Sequence, residues 1–188
     1  MRKILLVTSS VIALAACSHK STSHDEHQHP AAEVHTPTGP SEAEAVLKAA
    51  KGKKVKGTIK FKEENGQIIV TTDVEGLKAG PHGFHIHEIG DCDAPDFSTA
   101  GGHFNPSQSV HGSEHSEHRH GGDMGNLIAT AKGKSQTNLT ISGVTLKDGP
   151  SSIIGKAVII HEGKDDLKSQ PAGNSGPREA CGIIKALE

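Results

Sequence analysis

Histidines whose spacing suits metal binding are the first feature of this sequence that could do chemistry. The chain has 14 histidines in 188 residues. His85 and His87 are one residue apart in a segment predicted to be a strand, so both side chains leave the same face and can reach one ion. Neutral imidazole is a preferred ligand of zinc and copper. The pair therefore predicts part of a metal site that a strand holds in place.

More ligand-type residues follow in the stretch 89–125 and at the end of a later strand. They are His103, His111, His115, His118, His120, Asp123 and His161. A carboxylate beside three imidazoles suits tetrahedral zinc. Each of these histidines, taken singly, is better explained as an exposed polar residue. The whole set favours a metal site, because a strand pair and several loop imidazoles occur together.

Motifs for other chemistries do not occur in the sequence. Neither His87-Glu88 nor His161-Glu162 is followed by a histidine three residues after the glutamate, which excludes the zincin motif. Gly133-Lys134-Ser135 lacks the leading glycine of a phosphate-binding loop, and no Gly-x-Ser-x-Gly elbow is present. The 20 basic and 22 acidic residues give a formal net charge of -2. Such a balanced charge predicts no nucleic-acid partner.

Short β-strands are the elements predicted to position these ligands. Strand-like segments bounded by turn residues are 55–61, 67–74, 82–87, 126–131, 138–146, 153–161 and 182–187. Glu64-Asn65-Gly66 predicts a tight hairpin, since Asn-Gly tolerates the positive φ angles of a type I′ turn. The pattern favours an antiparallel sandwich or barrel over a parallel α/β fold. The stretches 89–125 and 162–180 interrupt the strands and carry ligand-type residues, so we expect functional loops there.

The N-terminal residues are interpreted as a targeting segment and a tether. Arg2 and Lys3 precede an apolar run over 4–16, which is too short to span a bilayer. The run ends in Leu14-Ala15-Ala16-Cys17, which resembles the bacterial lipobox, although a plain cleaved signal is the alternative. We expect residues 1–16 to be a signal peptide, and Cys17 to carry lipid that anchors the protein to the membrane. Residues 17–50 are predicted to be a disordered His-rich tether, with a short helix over 42–50, and residues 51–188 the folded domain.

Two cysteines remain once Cys17 is lipidated. An export signal places Cys92 and Cys181 in an oxidising compartment, so we interpret them as a disulfide. Two free thiols are the alternative, which is not expected outside the cytosol. Closing a loop of about 90 residues contributes about 4 to 5 kcal/mol in the chain-entropy model.

Four motifs, in this order, resemble those of the copper/zinc superoxide dismutases. They are Gly83-Phe84-His85-Ile86-His87, Gly102-His103-Phe104-Asn105-Pro106, His120-Gly121-Gly122-Asp123 with Gly125-Asn126, and Gly173-Asn174-Ser175-Gly176 through Arg178 to Cys181-Gly182. The resemblance covers about residues 55–187. It implies an all-β fold, an eight-stranded antiparallel Greek-key β-barrel flattened like an immunoglobulin sandwich, with two long functional loops.

The resemblance also implies one copper ion and one zinc ion per subunit. Copper would be held by His85, His87, His103 and His161. Zinc would be held by His103, His111, His120 and Asp123. His103 would then be a shared imidazolate that also supplies a proton. Arg178 would guide the superoxide anion, and Asp165 would hydrogen-bond both His85 and His111.

The implied activity is disproportionation of superoxide to oxygen and hydrogen peroxide, by a periplasmic lipoprotein that protects the bacterial cell envelope.

Two features of the sequence depart from the family pattern. The loop over 162–180 is short, so the acidic and lysine residues that steer superoxide in long-loop members have no clear counterparts. His82, His115 and His118 match no family ligand and are predicted to be surface residues. The subunit state is left open between monomer and homodimer.

Two other classes of function were weighed against the enzyme. A copper or zinc storage or delivery protein is suggested by the His-rich tail, but the complete ligand sets and Arg178 favour the enzyme. A catalytically dead adhesion or scaffold module would require lost ligands, and none is lost. We also hypothesise that His24, His27 and His29 capture scarce metal, while a simple polar spacer explains them equally well.

Overall fold

Two antiparallel five-stranded sheets make up the part of the chain that the computed structural model describes, residues 38–93 and 95–188. The first sheet, in the order β10-β1-β3-β4-β7, contains β1 (Glu42–Val46), β3 (Lys56–Glu64), β4 (Gln67–Glu75), β7 (Lys134–Ile141) and β10 (Lys185–Ala186). The second, in the order β2-β9-β8-β5-β6, contains β2 (Lys48–Ala49), β5 (Gly80–His87), β6 (Asp123–Ala129), β8 (Ala157–His161) and β9 (Arg178–Ile183). The predicted all-β, antiparallel fold is confirmed.

Alternation of apolar and polar residues decides which face of each strand is buried. In β4, Ile68, Val70, Thr72 and Val74 are buried, while the alternate residues are partly or fully exposed. The apolar ones pack in one core with residues of the second sheet such as Phe84 and Ile86. The sequence has no Trp or Tyr, so this core is mainly aliphatic.

The hairpin between β3 and β4 has the predicted turn. Asn65 and Gly66 have φ angles of 52° and 75°, and Glu64 pairs with Gln67 across the turn. Other strand bounds differ by several residues from those predicted from the sequence, because the residues at a strand end are paired only where a neighbouring strand extends alongside them. β6 begins at Asp123 rather than at Asn126, which places a candidate metal ligand on a strand.

The expectations of a helix over 42–50 and of a tether that ends at residue 50 are wrong. Residues 42–46 form β1, where Ala43 pairs with Phe61 and Ala45 with Ile59. Both alanines are completely buried. Alternating Glu and Ala suit a helix by propensity, but pairing with β3 and burial of every second residue favour the strand. The folded domain therefore includes residues before Lys51.

Two long connections leave the second sheet, residues 88–122 and 162–177. A disulfide joins Cys92 in the first of them to Cys181 in β9, as predicted. Phe97 and Ala100 pack beside this disulfide in a small second cluster with Ala157 and Ile159. No helix in the described part of the chain is long and apolar enough to cross a membrane. The predicted signal peptide, Cys17, His24, His27 and His29 lie outside the described residues.

Candidate metal centre

The first ligand group is assembled on the outer face of the second sheet. Phe84 and Ile86 of β5 point into the core, so His85 and His87 point the other way. His161 ends β8, the neighbour of β5, and an isolated bridge to His87 brings His103 alongside. In each of these four histidines, one ring nitrogen lies within 4.8 Å of the corresponding atoms of the others.

The nitrogens that face one another have no protein partner. His85 Nδ1, His87 Nε2, His103 Nε2 and His161 Nε2 are buried and make no hydrogen bond to any described residue. The opposite nitrogens of three rings are occupied: His85 Nε2 by Asp165, His87 Nδ1 by the Gly101 carbonyl and His161 Nδ1 by the Gly176 carbonyl. A hydrogen bond at one ring nitrogen leaves the lone pair on the other. Converging lone pairs of this kind fit a bound metal ion.

Burial keeps these rings in the form that binds a metal. Loss of solvent lowers the pKa of His85 to about 3 and the pKa of His161 to about 4. The same effect lowers the pKa of His87 well below its ordinary value. All three are therefore neutral imidazoles near pH 7, with a lone pair available.

The second ligand group contains His103, His111, His120 and Asp123. Asp123 Oδ1 lies 2.8 Å from His103 Nδ1, 3.1 Å from His111 Nδ1 and 3.2 Å from His120 Nδ1. His120 Nδ1 and His103 Nδ1 are 3.4 Å apart. Tetrahedral zinc with bonds of about 2.0 Å places its ligand atoms about 3.3 Å apart. The spacing and donor types therefore fit zinc.

The two groups share one ring, because His103 contributes Nε2 to the first and Nδ1 to the second.

The electrostatics of the second group favour a bound positive charge. Burial raises the pKa of Asp123, but hydrogen bonds from the three histidines outweigh it and hold that pKa far below its ordinary range. For His111, burial alone would lower the pKa, but hydrogen bonds to Asp123 and Asp165 outweigh this effect and raise that pKa to about 9. Such a cluster favours a cation at its centre.

The Asp165 carboxylate links the two groups, because it contacts one histidine of each. Its Oδ2 lies 2.6 Å from His85 Nε2 and its Oδ1 lies 3.0 Å from His111 Nε2, which is the contact predicted from the sequence. Gly173 packs against this junction with a φ of 67°, and a Cβ there would lie 1.8 Å from Asp165 Oδ1. Only glycine fits beside Asp165 at this point.

Arg178 is held at the edge of the first group. Its guanidinium donates to the carbonyl oxygens of Phe97 and Gly101, and the Gly101 carbonyl also accepts from His87. Burial is the largest cause of the low pKa of both His87 and His161, and the positive charge of Arg178 lowers both further. A positive charge therefore stands beside the first ligand group, where the sequence predicted an anion guide.

His82 is buried, which corrects the expectation of a surface residue. Its side chain is only 2% exposed. His82 Nδ1 lies 2.8 Å from the His161 carbonyl and Nε2 lies 2.7 Å from the Lys78 carbonyl. Strand alternation places His82 on the same side as Phe84, an indication that the ligand pattern of His85 and His87 obscured. His115 and His118 are exposed, as predicted.

Several supporting residues were missed by the sequence interpretation. Asn126 exchanges two hydrogen bonds with the backbone of Asp165, at 2.8 and 3.0 Å. Arg119 is buried and donates to the carbonyls of His120 and Ser142. Gln170 bonds both backbone groups of His111 and so ties the two loops together. Only the position of Arg119 beside a ligand could have indicated such a role.

Comparisons with known proteins agree with this geometry. The protein-family model described as "Copper/zinc superoxide dismutase (SODC)" matches residues 55–184 of this chain. The protein "Superoxide dismutase [Cu-Zn] 5" of Dictyostelium discoideum is 43% identical over 142 residues, which cover 71% of this chain and 92% of that protein. A crystal structure of the clock protein EA4 superimposes with a TM-score of 0.74 at 38% identity, covering 81% of this chain and 99% of that one. This chain therefore belongs to the copper/zinc superoxide dismutase family.

Proposed function

We propose that this protein disproportionates superoxide, with one copper ion in the first ligand group and one zinc ion in the second. The single observation that carries this proposal is the pair of four-residue ligand groups that share His103. The similar Dictyostelium protein is named a superoxide dismutase, which supports the same activity here. Copper would supply the one-electron exchange, since it cycles between two oxidation states. Two superoxide anions and two protons then give one oxygen and one hydrogen peroxide.

The residues of this chain bring the anion and the proton to the site. Arg178 attracts a monoanion because its charge is held by two carbonyls, and no carboxylate of the described residues forms a direct ion pair with it. His103 can take up a proton at Nε2 and give it to the reduced product. Its Nδ1 stays within the second ligand group, so the ring keeps its place while Nε2 changes state. Zinc in the second group would hold the ring in place.

Metal analysis and superoxide consumption test the proposal together. The purified protein should contain near one copper and one zinc per chain, with an electron spin resonance spectrum of copper in a tetragonal nitrogen field. The loaded protein should consume superoxide faster than the same amount of free copper. His103→Ala should abolish this advantage, because both ligand groups lose a member. Activity no higher than that of free copper would reject the enzyme and favour a metal storage or delivery protein.

We also propose that the protein is exported as a lipoprotein and protects the cell envelope from superoxide. The Leu14-Ala15-Ala16-Cys17 motif supports lipid attachment, and the disulfide between Cys92 and Cys181 suits an oxidising compartment. Cys17→Ser should move the protein from the membrane fraction to the soluble periplasm and abolish labelling by a fatty acid. Unchanged fractionation of the variant would contradict a lipid anchor.

A third proposal is that His24, His27 and His29 capture scarce metal for the active site. Several imidazoles within a short segment can hold an ion loosely. Deleting residues 18–35 should lower copper and zinc occupancy when metal is limiting and leave it unchanged when metal is abundant. Equal occupancy at limiting metal would show that the segment is only a spacer.

A further inference from the structure

Asp96 stands next to the turn that holds Arg178. This turn contains a short 3-10 helix, Ser98–Ala100, flanked by Phe97 and Gly101. Arg178 donates to the carbonyl of Phe97 before the helix and to the carbonyl of Gly101 after it. The guanidinium is therefore bound to both ends of one turn, and any shift of that turn moves the guanidinium.

The Asp96 carboxylate stabilises this turn while it remains exposed. Its Oδ1 accepts a hydrogen bond from the Ser98 amide at 3.1 Å. Phe97, the next residue, is completely buried and fixes the turn against the disulfide cluster. The backbone of Asp96 is thus one peptide unit from the carbonyl that Arg178 contacts.

Asp96 and Arg178 also influence each other through their charges. Burial lowers the pKa of Arg178, and the charge of Asp96 acts in the opposite direction. Hydrogen bonds from Ser98 lower the pKa of Asp96, and the charge of Arg178 adds to them. Asp96 and Arg178 are therefore close enough for their charges to interact, and the charge of Arg178 in turn lowers the pKa of His87 and His161.

We propose that Asp96 sets how strongly Arg178 attracts superoxide, by holding the turn in place and cancelling part of the positive charge. The substrate in this inference rests on the proposed function. The two effects change the rate of the reaction in opposite directions. The hydrogen bond to Ser98 keeps Arg178 aimed at the first ligand group, whereas the negative charge weakens the attraction of any monoanion.

Two substitutions in the copper- and zinc-loaded full protein separate the effects. Asp96→Asn removes the charge, and its amide oxygen can still accept from the Ser98 amide. It should raise kcat/KM for superoxide about two- to threefold at low ionic strength, the size expected for one exposed charge several ångströms away in water. In 1 M salt, where the Debye length is about 3 Å, the gain should disappear. Asp96→Ala also loses the hydrogen bond and should be slower than Asp96→Asn.

Azide binding gives a readout that does not depend on turnover. This monoanion should bind the Asp96→Asn protein about two- to threefold more tightly than the wild type, followed by the visible absorption of copper at low ionic strength. Asp73→Asn on the first sheet makes the same change of net charge and should alter neither measurement. Azide affinity and kcat/KM that are unchanged or lower in Asp96→Asn would overturn the inference. An inactive wild type whose azide affinity still responds to Asp96→Asn would reject only the proposed function.

Discussion

Each histidine of the first ligand group uses its two ring nitrogens for different tasks. In His85, His87 and His161, one nitrogen contacts a protein acceptor and the other faces the group. His103 is the exception, because its second nitrogen faces the second ligand group. The acceptors therefore matter as much as the rings, since they decide which nitrogen keeps its lone pair.

Asp165→Asn is expected to weaken zinc binding about 10- to 100-fold, the usual effect of losing an outer partner of a metal ligand. The amide can accept one hydrogen bond, but its NH2 group opposes the N–H of the second histidine. A competition titration with a chromophoric zinc chelator would measure the change. Asp73→Asn is the matched control and should bind zinc like the wild type. Equal zinc affinity in the two variants would contradict the role of Asp165.

His82→Ala is expected to destabilise the protein by about 2 to 4 kcal/mol, because the buried ring is lost and the carbonyls of His161 and Lys78 lose their hydrogen-bond partner. His118→Ala removes the same side chain from an exposed position and should change stability by less than about 0.5 kcal/mol. Urea unfolding of both variants would give the comparison. Similar free energies of unfolding for the two would show that the buried contacts of His82 are not stabilising.

At the scale of elements, the two loops are shaped by side chains that bond to backbone. Gln170 joins the loop 162–177 to His111 in the other loop, while the disulfide fixes the first loop to β9. Asp166 organises the second loop locally, accepting from the Lys168 and Ser169 amides and from the Ser169 hydroxyl. Loops without regular structure keep one conformation only through such contacts.

The contribution of Asp166 to stability should depend on pH. Hydrogen bonds from Ser169, followed by the Lys168 amide, lower the pKa of Asp166 from 3.8 to about 2. The folded pKa lies below the unfolded one, so the stabilisation is complete above pH 3.8 and is lost as pH falls through about 2. The free energies of unfolding of wild type and Asp166→Asn should therefore converge over this range. A difference that stays constant in urea unfolding of the metal-free protein from pH 5 to pH 2 would contradict this linkage.

At the scale of the whole molecule, the sandwich collects ligands from distant parts of the chain. β5, β6 and β8 supply His85, His87, Asp123 and His161. The loop between β5 and β6 adds His103, His111 and His120. The first sheet contributes no ligand, but its β1 and β3 cover the core on which the second sheet rests.

A chain that begins at Lys51 is expected to fail to fold, whereas one that begins at Thr38 should fold and bind metal. The shorter chain lacks β1 and leaves Ile59 and Phe61 of β3 without their neighbouring strand. Far-ultraviolet circular dichroism and a cooperative thermal transition would distinguish the two chains. A cooperative transition in the chain from Lys51 would restore the domain boundary expected from the sequence.

Local patterns in the sequence were sufficient for part of the fold and of the site. The β3–β4 hairpin follows from Asn65-Gly66 and two alternating segments, and the pairing of His85 with His87 follows from the period of a strand. The division of ligands between copper and zinc came instead from the resemblance of motifs. β1 was missed because Glu and Ala, which make up most of residues 42–46, have a high helix propensity, and only the partner strand decides between helix and strand.

The sequence by itself determined which residue types were available and which strands and turns would carry them, because these depend on neighbours a few positions away. The tertiary structure decided which histidines meet, that His82 is buried, and that Asp96 lies beside the turn bound by Arg178. Those features depend on strand order and on contacts between residues that are distant in the sequence, such as Arg178 with Phe97, which are 81 positions apart. No local pattern encodes such distances, since they result from packing of the whole chain.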